Sequence, residues 1–129
     1  MRRICAVAVV LPFIAGCFPM RIVKTPGATG RVIDSATLAP IDNAKVTVFA
    51  GGIGSERPVA VTITNLAGYF SLPPVHGWIL YIVPMDLMAN GGNLHVEALG
   101  YAAASRSIRS YPQGPPSVDC GELKLERVP

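Results

Sequence analysis

Apolar residues in this chain recur at every second position, in short runs closed by Gly, Pro, Asn or Asp. Ala44-Lys45-Val46-Thr47-Val48 sets Ala44, Val46 and Val48 on one face. Val59 to Thr64, Tyr69 to Leu72 and Leu94 to Ala98 repeat the alternation. Near the end, Leu123 and Leu125 point one way and Glu122, Lys124 and Glu126 the other. A period of two places successive side chains on opposite faces of a strand, so one face of each run is committed to a core. No stretch carries a convincing helical period. Its best competitor, Met85 to Ala89, is short and follows Pro84.

The breaks between runs have turn chemistry. Gly30 to Ile33 reads as a first strand, and Asp34 to Asn43 as a turn rich in Ser, Thr, Pro, Asp and Asn. Ala50 to Pro58 is a glycine-rich loop, and Asn65 to Gly68 a turn in which Gly68 can supply a positive φ. Trp78 to Val83 is continuously apolar, as a strand covered on both faces would be. Pro84 to Asn93 reads as a loop, Tyr101 to Ile108 as a weaker strand, and Ser110 to Ser117 as a second long loop. Seven or eight short strands with turn signals roughly every 8–12 residues predict an all-β chain folded as a single Ig-like β-sandwich over residues 29–129.

The N-terminus obeys a different rule. Arg2 and Arg3 precede an apolar run from Ile4 to Ile14. A bilayer span needs about 20 apolar residues, so this run is too short to cross and fits the h-region of a secretory signal peptide. The leader accounts for much of the positive mean hydropathy of +0.43. Ile14-Ala15-Gly16-Cys17 closes the run and resembles the lipobox of bacterial lipoproteins, with Ile14 where Leu is usual. That resemblance implies cleavage before Cys17, with residues 1–16 as signal peptide, and a diacylglycerol on the Cys17 sulfur. Two or three acyl chains on one residue hold a protein on a bilayer far more firmly than a single chain does. Phe18 stands where an inner-membrane retention signal would place Asp. The expected location is therefore the outer membrane, facing the periplasm, in an organism with two membranes. Residues 17–28, with two prolines and no period, read as the lipidated Cys and a tether, at most about 35 Å long.

Removing the leader takes Arg2 and Arg3 with it, leaving 9 of the 11 basic residues against 8 acidic ones. With that balance and no basic cluster, a nucleic-acid partner is not expected. Cys5 leaves with the leader and Cys17 takes the lipid, so Cys120 has no disulfide partner. No basic residue or His adjoins it in sequence to lower its pKa, and it reads as a small core residue on a strand.

Three stretches together resemble the carboxypeptidase-regulatory-like domain, a transthyretin-like β-sandwich. The first is Gly30-Arg31-Val32-Ile33-Asp34, then Thr37, Pro40-Ile41 and Ala44 to Val48. The second is Thr64-Asn65-Leu66-Ala67-Gly68-Tyr69-Phe70-Ser71-Leu72, where Asn65 replaces the family's commoner Asp; either can close an Asx-turn. The third is Val96-Glu97-Ala98-Leu99-Gly100-Tyr101 with Val118-Asp119-Cys120-Gly121-Glu122-Leu123. The resemblance implies an accessory domain that mediates contact or positioning, since its motifs are structural.

Catalytic signatures are sparse. The histidines are His76, in a loop, and His95, alternating outward beside Glu97. Zinc usually takes three or four protein ligands, and no His-x-x-x-His or Cys-x-x-Cys spacing occurs. There is no Gly-x-Ser-x-Gly. Gly52-Ile53-Gly54-Ser55 lies between strands rather than before a helix, so it does not read as a phosphate loop. Neither an enzyme nor a cofactor is expected. The expected function is a non-catalytic, membrane-anchored envelope lipoprotein whose sandwich contacts a protein or glycan. Two alternatives are a small metal-binding or hydrolytic enzyme using His76, His95 and the Pro84–Asn93 loop, and a subunit of an envelope or secretion complex. Met85, Leu87 and Met88 form the candidate interaction loop, because a short, glycine-flanked segment cannot easily bury all three. The competing reading has them plug one end of the sandwich.

Overall fold

The structure is a computed structural model and describes residues 17–50, 57–82, 90–110 and 115–129. Residues 1–16, read as a signal peptide, Gly52 to Ser55, and Met85, Leu87 and Met88 lie outside the described residues. The described chain is all-β, with strands β1 (Cys17–Thr25), β2 (Gly27–Asp34), β3 (Lys45–Ala50), β4 (Pro58–Ile63), β5 (Tyr69–Leu72), β6 (Val75–Ile82), β7 (Asn90–Glu97), β8 (Ala104–Ser110) and β9 (Ser117–Leu125).

Seven of these strands build the sandwich. One sheet has the order β5-β2-β9 and the other β4-β3-β7-β8, while β1 and β6 form a separate two-stranded ribbon. Every pair is antiparallel except β2 with β9. Ala28 and Val32 from β2, Val46 and Val48 from β3, Phe70 and Leu72 from β5, Leu94 and Val96 from β7, Ile108 from β8 and Leu125 from β9 meet between the sheets. Their alternation in sequence is thus the alternation of the buried face. Cys120 is buried in the same cluster, as expected. Burial pushes its thiol pKa up, against the pull of Arg106.

Strand β9 fills the core from both parities because it is bulged. Val118 and Cys120 face inward before Gly121, and Leu123 and Leu125 after it. The register against β2 slips at that point, and Gly121 adopts φ 64°. A single extra residue reverses which parity points inward. The Asn65–Gly68 turn forms as read. The Asn65 side-chain oxygen accepts from the amides of Ala67 (3.0 Å) and Tyr69 (2.9 Å), and Gly68 has φ 79°. A Cβ on Gly68 would lie 2.5 Å from the carbonyl oxygen of Val32, so glycine is needed there for space as well as conformation.

Several expectations are corrected. The segment read as an irregular tether contains β1, which starts at Cys17 itself and pairs with β6 along its length. Its prolines misled the reading: Pro19 sits inside β1, at the edge of a two-stranded ribbon where a missing donor is tolerated. Trp78 is not covered on both faces; it is 69% exposed, because β6 joins that ribbon rather than the centre of a sheet. Asn90-Gly91-Gly92-Asn93, read as the end of a loop, opens β7. The weak strand assigned from Tyr101 begins only at Ala104. In β4 the alternation runs in the opposite phase to the one its apolar residues suggest. Thr62 and Ala60 pair with the core residues Val46 and Val48, which leaves Val61 and Ile63 outward at 55% and 61% exposure.

Candidate functional site

Two places concentrate chemistry. The first is the ribbon. Cys17 is the first residue of β1, and its partner in the register is Ile82, the last described residue before Met85, Leu87 and Met88. Further along, Arg21 stands opposite Trp78 and Val23 opposite His76. Arg21, Val23 and His76, with Met20 and Ile22, line a hollow of about 440 Å3.

The second place is the outer face of the four-stranded sheet. Residues in register share a face in an antiparallel sheet, so Thr47, His95 and Ser105 lie in one row across β3, β7 and β8. His95 Nδ1 is 2.8 Å from the Ser105 hydroxyl, and its Nε2 is 3.3 Å from Glu97 Oε1. Phe49 meets the His95 ring edge-on at a centroid distance of 6.3 Å. Phe49, Asn93, His95 and Ser105 line a concavity of about 500 Å3. Val61 and Ile63 continue this face onto the edge strand β4, opposite Thr47 and Lys45. Thr47, although on the outer face, is buried.

The Glu97–His95–Ser105 chain can pass a proton in principle. Acyl transfer also requires donors aimed at a developing oxyanion. Around Leu94 to Val96 the strand is paired on both sides, by β3 and by β8, which commits its amides to the ladders. As it stands, the arrangement offers a ring edge, an amide, an imidazole, a hydroxyl and a carboxylate on a broad, half-open surface. It is suited to hydrogen-bonding and stacking contacts. Among the described residues no group of three His, Cys, Asp or Glu side chains is placed to hold a metal. His76 is on the ribbon, not in a loop, and His95 is on the sheet face.

One polar cluster was not read from sequence. Asp34, at the end of β2, is 1% exposed and fully engaged. Its Oδ1 accepts from the amides of Ala36 (2.8 Å) and Thr37 (3.1 Å), while its Oδ2 accepts from Tyr101 Oη (3.0 Å) and Arg127 Nε (2.7 Å). The two amides, then Arg127, hold its carboxyl well below the usual carboxylate range, against the opposing effect of desolvation. The same contact raises the Arg127 guanidinium. Asp followed by small residues does carry a turn signature. Tyr101 and Arg127 come from 67 and 93 residues away, which no local pattern reports. The cluster ties the end of β2 to the C-terminal segment, where Tyr101 and Arg127 also form a backbone bridge.

No protein-family model matches the chain, and neither does any curated protein sequence. Among solved structures it is similar to a 9R-lipoxygenase from Cyanothece PCC8801, at 19% identity and a TM-score of 0.45, over 77% of this chain and 16% of that one. It is also similar to the 3-chlorocatechol 1,2-dioxygenase of Rhodococcus opacus 1CP, at 12% identity and a TM-score of 0.47, over 95% of this chain and 78% of that one. The chain thus spans about a sixth of the lipoxygenase's length.

Proposed function

We propose that the chain is a membrane-anchored envelope lipoprotein carrying a carboxypeptidase-regulatory-like sandwich that binds a protein or glycan and performs no catalysis. The anchor reading rests on the Arg2-Arg3 leader, the short apolar run and Ile14-Ala15-Gly16-Cys17. The observation that carries the binding reading is the outer face of the four-stranded sheet. Apolar Val61 and Ile63 stand exposed there beside the polar row of His95, Ser105 and Glu97. An apolar margin next to convergent polar groups is the composition of a contact surface. Met85, Leu87 and Met88 supply a second contact in this proposal.

Cys17→Ser is expected to abolish fatty-acid labelling and leave a precursor of full length; unchanged labelling rules the anchor out. For the binding face, His95→Ala and a Val61→Ser/Ile63→Ser pair are expected to reduce in-cell crosslinking to an envelope protein, or co-sedimentation with insoluble envelope glycan. If neither variant alters whichever contact forms, the face is not the binding surface.

A second reading is favoured by the Glu97–His95–Ser105 geometry: a weak hydrolase with Ser105 as nucleophile. A fluorophosphonate probe distinguishes it. Labelling lost in both Ser105→Ala and His95→Ala supports the hydrolase, and an unlabelled wild type removes it.

A further inference from the structure

We propose that one face of the β1–β6 ribbon lies against the bilayer that holds the lipid on Cys17, with Trp78 at the interface and Arg21 against anionic headgroups. The inference rests on the anchor reading above. It begins with the absence of a linker, since β1 starts at the anchored residue. A strand rises about 3.3 Å per residue and neighbouring strands lie about 5 Å apart, so the backbones of Arg21 and its partner Trp78 stay within about 14 Å of that of Cys17 whatever the ribbon's tilt. An upright ribbon would lift them clear of the surface. A ribbon lying flat sets them in the headgroup layer.

Three observations favour the flat arrangement. Position 17 is separated from 21 and 23 by even steps in an unshifted register, so the anchored position shares a face with Arg21, Val23, Trp78 and His76. Trp78 is 69% exposed on that face, and a ring with an apolar body and a polar N–H is most at home where hydrocarbon meets water. Charge points the same way. Arg21 and His76 stand on that face, and Cys17–Thr25 and Val75–Ile82 contain no Asp or Glu, although the chain after the leader is nearly balanced; Lys24, whose side chain lies over Gly77, belongs to the other face. A basic strand pair beside a lipid anchor complements a surface of anionic phosphates. The ribbon also has reason to be covered. It pairs with neither sheet of the sandwich, and two strands alone are marginally stable in water.

Trp78 is the chain's single tryptophan, so its emission reports on the ribbon without any substitution. The lipoprotein is purified from membranes, and the mass of its N-terminal peptide establishes whether Cys17 is acylated. It is then reconstituted into phosphatidylcholine vesicles with and without phosphatidylglycerol. On the anionic vesicles, emission is expected to shift to the blue, acrylamide quenching to fall, and lipids brominated near the top of the acyl chain to quench. Arg21→Gln is expected to reduce the ratio of docked to undocked ribbon about fivefold, the factor for one base at an anionic surface. An acylated protein whose Trp78 stays fully open to acrylamide overturns the ribbon proposal and leaves the anchor intact. Protection from acrylamide without brominated-lipid quenching means a second copy or another protein covers the ribbon, and also overturns it. An unacylated Cys17 overturns the anchor reading, and the ribbon proposal falls with it.

Discussion

The sandwich and the ribbon are built from the same element and obey different constraints. In the sandwich, each strand has one face closed by the opposite sheet, and Leu94, Val46 and Leu125 are wholly buried. In the ribbon, β1 and β6 satisfy each other's backbone and pair with neither sheet; Thr25 is buried where β1 reaches the sandwich, but Met20 and Trp78 remain 44% and 69% exposed. Hydrogen bonding alone therefore makes a strand pair, whereas facing layers make a core. The sandwich also carries a long-range polar lock in Asp34, Tyr101 and Arg127. The described contacts of the ribbon include no such lock. Stability is expected to reside in the sandwich, and the ribbon to be free to serve a surface.

The contrast breaks most visibly in the core. Leu94→Ala removes a fully buried side chain between two sheets and is expected to cost about 3–5 kcal/mol, read as a shifted urea midpoint. A cost below about 1 kcal/mol would mean that the sheets do not close on Leu94. Next comes the lock. Asp34→Ala frees the amides of Ala36 and Thr37 and unpairs Tyr101 and Arg127, and is expected to lower the melting temperature by on the order of 10 °C. Arg127→Gln is expected to do less, since the guanidinium is largely exposed and can return to water.

Acid titrates the same lock more gently. The folded Asp34 carboxyl sits below its unfolded value, so the native state holds its proton less readily than the unfolded chain does. Its contribution is complete above the ordinary carboxylate value of about 3.8 and is lost as pH falls from there through the lowered folded value. Melting temperature against pH is expected to fall steeply below pH 4 or so in the wild type. In Asp34→Ala, which starts lower, the fall is expected to be shallower. Parallel curves would show that other carboxylates govern acid unfolding. The smallest effect belongs to the ribbon: Trp78→Ser is expected to change stability by no more than about 0.5 kcal/mol in detergent solution. A larger loss would show that the ribbon is part of the core after all, and would erase the comparison.

How far the fold could be read follows from what each pattern reports. Alternation in Ala44 to Val48 and Leu94 to Ala98 located the central strands because burial on one face leaves a period in the chain. The Asn65–Gly68 turn was legible because its hydrogen bonds and its positive φ are local. Strand β4 alternates as read, but its more apolar face is not the inward one. Its apolar Val61 and Ile63 suggested an inward face, but pairing with β3 assigned that face to Ala60 and Thr62. The candidate sheet-face site was only half legible. His95 and Glu97 are neighbours by spacing, whereas Ser105 and Phe49 reach them through cross-strand register, which local composition does not specify.

Sequence by itself determined that the described chain is all-β, where the Asn65–Gly68 turn falls, that Cys120 belongs inside, and which residues resemble an export and lipidation signal. Each is a property of neighbouring residues, carried by a short-range period or motif. Tertiary structure decided that β1 and β6 leave the sandwich as a ribbon, that Val61 and Ile63 face out, and that Asp34 meets Tyr101 and Arg127. A strand is defined by local backbone geometry, but its partner is chosen by the free energy of the whole packing, in which burial of one face competes across every available register.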